Sequence, residues 1–481
     1  MSTTSDPTTS PPLDPAPRHS SGWRGLVLRL HFYAGLLVGP FVLVAAATGV
    51  LYALTPQLES WVYADQLRAP VTAQQLPLAD QVRAALATGP AGRLDAVRPA
   101  PEPGTTTRVL FTEGGLGQSE RRTVFVDPGT GAVRGSLVSY GTSGVLPLRT
   151  TIDQLHRNLL LGEPGRLYSE LAASWLWVVA LGGLALWIAR WRRRRGIARD
   201  LLLPERGATG RRRTLGRHGA LGAWLLVGTL FLSATGLTWS TYAGANITEL
   251  RASLGWSTPA LDSAGSGAHA DHSGHGGPPP APADPVAAAG RVDAVLATAR
   301  AAGIDAAQVE VRLPARPGGA WTVTEIRRSW PTQVDAVAID AGTGAVLDQV
   351  RFADYPLMAK LARWGIDAHM GVLFGWVNQL VLVVFGLGLI TLIVLGYRMW
   401  WRRRPTPGRG GRAVPRGQLR RAGQTTAFVA VLLAVAIGWG APLFGISLLA
   451  FLALDGWLGY RDRHREAERD PGGEDGELLD A

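Results

Sequence analysis

The residues best suited to chemistry in this 481-residue chain are histidines that recur in matched positions. They lie beside long apolar segments and are His31, His218, His156 and His369. The first two are each followed by a glycine at offset 4, Gly35 or Gly222, and by Thr-Gly at offsets 17 and 18. The other two each follow an Ile-Asp pair and precede a glycine by six residues. The histidines repeat while the apolar residues between them vary, which indicates that the histidines are functional.

The chemistry that these residues favour is ligation of haem iron by two imidazoles. Imidazoles on facing helices reach the iron of a flat b-type haem from opposite sides, and such ligation favours electron transfer over oxygen binding. The chain has no cysteine, which excludes thiolate-held clusters and covalent c-type haem, and only four methionines, which argues against a thioether copper relay. The sequence therefore predicts two haem b groups, one between His31 and His218 and one between His156 and His369.

Glycines near the histidines are expected to leave room for the porphyrins. Gly35 and Gly222 lie one helical turn beyond their histidines and on the same helix face, where a larger side chain would collide with the ring. Gly162 and Gly375 could act in the same way, although six residues is not a helical repeat, so an irregular stretch at these positions is the alternative. No separate catalytic side chain is expected, because the haem iron would carry the redox chemistry.

The composition indicates a membrane protein. Apolar residues make up 47% of the chain and charged residues only 18%, and the apolar residues are concentrated in long runs. The net charge of +11 comes from arginines at the ends of these runs, with eleven in 190–217 and nine in 398–421. This distribution is the positive-inside signal of a protein in contact with membrane lipid, and nucleic-acid binding is not expected.

Apolar and polar runs alternate along the chain. In the predicted topology, each half of the chain begins on the cytoplasmic side, crosses the membrane outwards and crosses back. The segments are a disordered cytoplasmic tail (1–22), a span (23–55), a soluble segment (56–155), a span (156–191), an arginine-rich cytoplasmic loop (192–217), a span (218–240), a soluble segment (241–365), a span (366–401), a cytoplasmic loop (402–423), a hairpin of two short spans (424–460) and a cytoplasmic tail (461–481). Asp-x-Gly-Thr-Gly after a strand in both soluble segments predicts a β-hairpin in each. The topology places His31 and His218 near the inner face, and His156 and His369 near the outer face.

Two weaker candidate sites accompany the four histidines. Arg157 and Arg363 lie near the outer histidines, where they could pair with haem propionates or attract an anionic substrate, or serve only as interface anchors. A Gly/Ser/Pro-rich run, 268–280, could bind copper, zinc or iron loosely through its three histidines, and a disordered insertion without metal is the alternative. Those histidines are His269, His272 and His275.

The chain resembles the PepSY-associated transmembrane family, whose members include iron-regulated membrane proteins and ferric-siderophore reductases. The resemblance covers about 22–460 and rests on Leu30-His31 with Gly35 and Thr48-Gly49, Leu155-His156-Arg157-Asn158-Leu159-Leu160, His218 with Thr235-Gly236, His369-Met370-Gly371-Val372-Leu373-Phe374-Gly375, and the Asp-x-Gly-Thr-Gly strands typical of PepSY domains. The fold it implies is a mainly α membrane protein. A parallel internal duplication would form the four-helix transmembrane core, joined by a C-terminal helical hairpin and two small α+β PepSY-like extracytoplasmic domains.

The resemblance also implies a function. It implies two b-type haems held by the four matched histidines, and electron flow across a bacterial inner membrane to an extracytoplasmic ferric siderophore or other metal chelate. The chain lacks the fused flavin and nicotinamide domain of some relatives, so a cytoplasmic flavoprotein or membrane quinol is expected as the donor. Both termini are expected in the cytoplasm.

Two other functions remain open at this stage. An iron, siderophore or copper transporter would be consistent with a duplicated membrane protein, but the repeats are parallel, and no buried acid or paired broken helices are evident in the spans. A regulator that binds or inhibits a peptidase through its PepSY domains would explain the soluble segments. It would leave the four histidines without a role.

Overall fold

A computed structural model describes residues 22–117, 119–194, 196–261, 284–314, 319–340, 342–402 and 424–469. The predicted metal-binding histidines His269, His272 and His275 lie outside these residues. The first half contains helices α1 (Gly22–Ala53), α2 (Thr55–Val62), α3 (Ala64–Leu67) and α4 (Leu78–Leu86), strands β1 (Arg93–Arg98), β2 (Thr107–Thr112), β3 (Glu120–Val126) and β4 (Val133–Tyr140), and helices α5 (Pro147–Asn158) and α6 (Glu163–Arg194). The second half contains helices α7 (Arg199–Leu202), α8 (Gly210–Leu237), α9 (Tyr242–Ser253), α10 (Pro285–Ala289) and α11 (Val292–Ala301), strands β5 (Val309–Arg312), β6 (Ala320–Glu325), β7 (Ala336–Asp340) and β8 (Val346–Val350), and helices α12 (Leu357–His369), α13 (Gly375–Trp401), α14 (Gln424–Gly440) and α15 (Pro442–Arg469).

Long apolar helices dominate the fold. Among the described residues, α1, α6, α8, α13 and α15 are long and apolar enough to cross a membrane, and α14 is a shorter apolar helix. Their apolar residues surround the helix instead of forming one stripe, as expected where lipid covers the outer faces. The chain is therefore a multi-pass membrane protein, as the sequence predicts.

Four of these helices form a bundle. Helices α1 and α8 each pack against both α6 and α13, so α1 and α8 lie diagonally opposite each other. Ala34, Val38 and Phe41 on α1 and Trp175 on α6 are buried in its core. This diagonal arrangement leaves space at the centre of the bundle between the two helices that carry His31 and His218.

The two soluble segments form a single antiparallel sheet. Its strand order is β4-β3-β2-β1-β5-β6-β7-β8, and the halves join where β1 pairs with β5, with Ala96 opposite Arg312. One face of the sheet packs against α4, α10 and α11 around buried residues such as Phe111 and Trp321. Because β1 and β5 pair directly, both soluble segments must lie on the same side of the membrane. Helices α6 and α8, which separate these strands in the sequence, then cross the membrane once in each direction.

The predicted hairpins are present in this sheet. Strands β3 and β4 pair across the turn that begins at Asp127, and β7 pairs with β8 across the turn that follows Asp340. In each turn the aspartate carboxylate accepts hydrogen bonds from two backbone N–H groups, including that of Gly129 in the first and that of Gly342 in the second. The Asp-x-Gly-Thr-Gly motif therefore acts locally, as a turn that holds its own backbone.

A buried ion network stabilises the junction between the halves of the sheet. Arg98 on β1 donates hydrogen bonds of 2.6 and 2.8 Å to the Glu310 carboxylate on β5. Arg121 and Arg312 also contact this carboxylate. Burial alone would raise the pKa of Glu310, but the three arginines lower it to about 2.

The C-terminal hairpin packs against the bundle through polar contacts. Asp455 on α15 is 1% exposed and lies 2.7 Å from the Arg29 guanidinium on α1. The indole of Trp175 on α6 donates a 2.8 Å hydrogen bond to Ser447 on α15. Helix α15 extends past the predicted end of the hairpin at 460, because residues 461–469 contain neither glycine nor proline.

Candidate cofactor site

The first pair of histidines comes from opposite helices of the bundle. The imidazole rings of His31 on α1 and His218 on α8 have centres 6.4 Å apart and planes inclined by 79°. Two imidazoles that share one metal ion along a line are expected about 6 Å apart, from metal–nitrogen bonds of roughly 2 Å and about 1 Å from nitrogen to ring centre. The separation therefore fits two ligands on opposite sides of one metal ion.

The second pair repeats this geometry with different helices. His156 lies on α5 and His369 on α12, the helices that directly precede the spans α6 and α13. Their ring centres are also 6.4 Å apart, and their planes are inclined by 85°. The structure thus brings together both pairs that the sequence predicts. Among the described residues, no group of three or more His, Asp and Glu side chains forms a metal site.

Each of the four rings is oriented by a hydrogen bond from Nδ1. His31 donates to the Val179 carbonyl at 2.8 Å, and His218 to the Leu392 carbonyl at 3.1 Å. These acceptors lie on α6 and α13, the neighbours of the histidine helices. An Nδ1–H that donates to a carbonyl fixes the tautomer in which Nε2 carries the free lone pair, as in most metal-bound histidines.

The threonines of the repeated Thr-Gly motif orient the second pair. Thr235 on α8 lies 2.6 Å from Nδ1 of His369, and Thr48 on α1 lies 3.2 Å from Nδ1 of His156. Each hydroxyl donates to a carbonyl one turn earlier in its helix, so it accepts from the imidazole. The His156 ring also donates to the Ala45 carbonyl at 2.9 Å.

The two histidine pairs lie in separate layers. Thr48, which contacts His156, follows His31 by 17 residues on the continuous helix α1, and Thr235 follows His218 by the same interval on α8. At about 1.5 Å per residue, the layers are roughly 25 Å apart along the bundle. This separation is close to the thickness of the hydrocarbon core.

A cavity accompanies each histidine pair. The one beside His31 and His218 has a volume of about 630 Å³ and is also lined by Gly35 and Gly222. A Cβ added to either glycine would meet only one atom within 4 Å, no closer than 3.7 Å, so both positions open towards free space. This supports the prediction that they leave room for a porphyrin, and the volume lies in the range of cofactor sites.

The second cavity is smaller, about 210 Å³, and is lined by His156, His369 and Arg157. Arg157 is held loosely, 3.3 Å from the Tyr140 hydroxyl and 4.0 Å from the Asp153 carboxylate. Its buried Nε has no hydrogen-bond partner within the described residues. Burial raises the pKa of Asp153, and the positive charge of Arg157 partly offsets this shift. The donor set at both cavities, two imidazoles each with Nε2 free to bind a metal ion, fits haem iron.

Comparison with known families matches residues 28–403 to the PepSY-associated TM region. The chain belongs to this family. The prediction made from the histidine motifs is thereby confirmed, and all four histidines lie in the matched region. Comparison with proteins of curated function gives no match. The helical hairpin α14–α15 lies outside the region that defines the PepSY-associated TM family.

A second pair of glycines in the PepSY-associated TM region was missed from the sequence. A Cβ on Gly183 would lie 2.8 Å from Cε1 of His31, and a Cβ on Gly396 would lie 3.5 Å from Cε1 of His218. Each glycine is four residues beyond the carbonyl that orients the same histidine. Both follow a histidine of the second pair by 27 residues, so the signal was present in the repeat.

Gly162 and Gly375 lie in irregular turns that connect the histidine helices to the spans, which is the second of the two possibilities that the sequence left open. Both have positive φ angles, +65° and +57°, and neither lines either of the two cavities described above. A glycine adopts this conformation without steric conflict, which explains why the spacing of six residues is repeated within the chain. Arg363 lines neither of these cavities, and its guanidinium pairs with Asp367 at 3.0 Å.

Asp367, two residues before His369, is the centre of a further contact. It is fully buried and accepts a 2.7 Å hydrogen bond from Arg328, which lies between β6 and β7. The same guanidinium donates to Ser143 at 2.7 Å, in the turn before α5. Arg328, in the loop between β6 and β7, therefore connects α12 with the turn before α5, next to the helices that carry the second histidine pair.

The absence of buried acids from the spans was also a wrong expectation. Glu170 on α6 is 2% exposed and accepts hydrogen bonds from the N–H groups of Tyr242 and Ala243 at the start of α9. Asp455 on α15 is equally buried and pairs with Arg29. Both acids have structural partners, so neither adds support for a transport site.

Proposed function

We propose that this chain is a di-haem b membrane oxidoreductase that passes electrons from the cytoplasmic side to an extracytoplasmic metal chelate. A ferric siderophore is the expected acceptor, and a flavoprotein or quinol the expected donor. The observation that carries the proposal is the pair of histidine contacts, each with ring centres 6.4 Å apart, in two layers that are separated along the bundle. The same contacts in both halves support a parallel duplication as the origin of the core.

The residues of the chain would bind and orient the cofactors. His31 and His218 would hold one haem, and His156 and His369 the other, which would supply one-electron redox chemistry when bound. The Nδ1 acceptors would hold each imidazole in the tautomer whose Nε2 is free to bind the metal ion, and would raise its basicity. Apolar side chains of α1, α6, α8 and α13 exclude water from the space between the layers.

The orientation follows from the arginines. Residues 190–217, at and after the end of α6, carry eleven arginines, and residues 398–421, at and after the end of α13, carry nine, which favours the cytoplasm for those ends and for both termini. The sheet then faces the outside of a bacterial inner membrane, next to His156 and His369. An acceptor bound at the sheet would meet the outer site first.

The proposal is tested by counting haem. Purified wild-type chain is expected to contain two haems with the reduced spectrum of b-type haem. His31→Ala and His369→Ala are each expected to retain one, because each removes a ligand from one pair only. His464→Ala serves as the matched control, since His464 is an exposed histidine on α15 outside both pairs. Wild-type chain without haem would refute the proposal.

Electron transfer needs a separate measurement. Proteoliposomes with trapped reductant and external ferric chelate are expected to form ferrous ion outside, detected by a ferrous-specific chromogenic ligand. The two single-haem variants are expected to lose this activity. Uptake of radiolabelled chelate without reductant would support a transporter instead.

A further inference from the structure

The mouth of the inner cavity carries an excess of positive charge. Four arginines line this cavity together with His31 and His218, and no acid does so among the described residues. They are Arg24 on α1 and Arg190, Arg193 and Arg194 on α6. Arg194 forms an ion pair with Glu205. Within the described residues, Arg24, Arg190 and Arg193 form neither an ion pair nor a side-chain hydrogen bond.

The spacing of these arginines directs them towards the histidine layer. Arg24 precedes His31 by seven residues, and Arg190 follows Gly183, which contacts His31, by seven residues. Seven residues are about two helical turns, so each arginine lies on the cavity-facing side of its helix and roughly 10 Å from the histidine layer. The positive-inside rule explains why arginines lie at this membrane face. It does not explain why they line a cavity that lacks acids.

The outer cavity differs in this respect. Its lining includes Arg157 and Arg166, but also the acids Asp153 and Glu170, so its charges balance. Arginine is suited to planar carboxylates, which accept two parallel hydrogen bonds from one guanidinium. Each cavity therefore offers a different environment to a ligand that carries carboxylates.

We propose that Arg24 and Arg190 form a carboxylate-binding site at the mouth of the inner cavity, which holds the two acidic side groups of the inner porphyrin. This inference rests on the proposed function and adds a selectivity to it. The inner site requires a dianionic porphyrin, whereas the outer site, with balanced charges, accepts a neutral one.

The test compares haem with haem dimethyl ester, which keeps the ring and the iron but has no negative charge. Both are titrated into full-length apoprotein of the His369→Ala variant, where only the inner site is intact, and into His31→Ala for the outer site. The inner site is expected to bind the ester about tenfold more weakly than haem, and the outer site to bind both nearly equally. Binding is measured by absorbance, so no electron transfer is needed.

Arginine variants identify the residues responsible. Arg24→Gln with Arg190→Gln is expected to weaken haem binding at the inner site at least tenfold and to leave ester binding unchanged. Arg199→Gln with Arg211→Gln removes the same charge beside the same membrane face, outside the cavity lining, and is expected to change neither.

Each other outcome overturns the inference. Equal binding of haem and ester at the inner site would show that the carboxylates are not recognised. An effect of the Arg24 and Arg190 changes that occurs only in bilayers with phosphatidylglycerol, and not in phosphatidylcholine, would assign these arginines to lipid headgroups. Failure of any porphyrin to bind the wild-type chain would instead remove the proposed function itself.

Discussion

Replacing Thr235 with valine is expected to weaken the outer site selectively. Valine has the shape of threonine but cannot accept a hydrogen bond, and the Thr235 hydroxyl is the acceptor given for Nδ1 of His369, at 2.6 Å. The matched change is Thr48→Val. It removes a longer contact of 3.2 Å from His156, whose Nδ1 also donates to the Ala45 carbonyl at 2.9 Å.

The size of the effect follows from this difference in partners. Loss of an outer-shell hydrogen bond to a metal-bound histidine typically weakens metal binding 10- to 100-fold, which is about 1.4 to 2.7 kcal/mol. That loss applies in full to Thr235→Val. Thr48→Val leaves the stronger acceptor in place and is expected to weaken binding by roughly threefold or less.

The assay is haem loss from detergent-solubilised chain to an excess of a haem-scavenging apoprotein. In Thr235→Val, half of the haem is expected to leave at least tenfold faster than in the wild type, and the other half unchanged. The midpoint potential of the affected haem is expected to rise, because a less basic imidazole stabilises ferric iron less well. Equal effects of the two threonine variants, or faster loss from both sites, would refute the reasoning.

Three further predictions concern other parts of the structure. Gly183→Ala is expected to displace His31 and lower haem occupancy by up to half, whereas Gly396→Ala has room and is expected to retain two haems per chain. Arg328→Gln leaves the buried Asp367 carboxylate with one partner fewer and is expected to lower the thermal unfolding midpoint and accelerate haem loss from one site, while Arg327→Gln, which does not contact Asp367, changes neither. The Glu310 carboxylate, with its pKa lowered to about 2 from 4.5, is expected to contribute up to about 3 kcal/mol of stability above pH 4.5 and to lose it as the pH falls towards 2. Glu310→Gln should therefore flatten the thermal midpoint against pH in this acidic range, and an unchanged slope would contradict the assignment.

Much of the fold could be predicted because its signals are local. Membrane helices are specified by the length and composition of apolar runs, and the hairpins after β3 and β7 by Asp and Gly at fixed turn positions. The pairing of β1 with β5 could not be predicted, since Ala96 and Arg312 are separated by two membrane helices and no local pattern connects them. The burial of Glu170 escaped notice for the same reason, because its partners are backbone N–H groups of a distant segment.

The sequence predicted the four histidines of the site but not the hydrogen-bond acceptors that orient their rings. Matched offsets identified the four histidines, and the geometry pairs them across the two halves as expected. The acceptors Val179 and Leu392 act through backbone carbonyls, which have no side-chain signal. Thr48 and Thr235 did have a signal, the offset of 17 residues, but their role becomes visible only when helices α5 and α12 are packed against them.

The continuous sheet has a consequence for how the protein is made. Strands β1 to β4 are synthesised well before β5. The edge of β1 therefore stays unpaired until α6 and α8 have been inserted and β5 has been made. An unpaired edge is a template for wrong partners, and Val97 and Val311 meet only when synthesis is far advanced. Correct folding of the first soluble segment therefore depends on the synthesis of the second, which supplies the strand that pairs with β1.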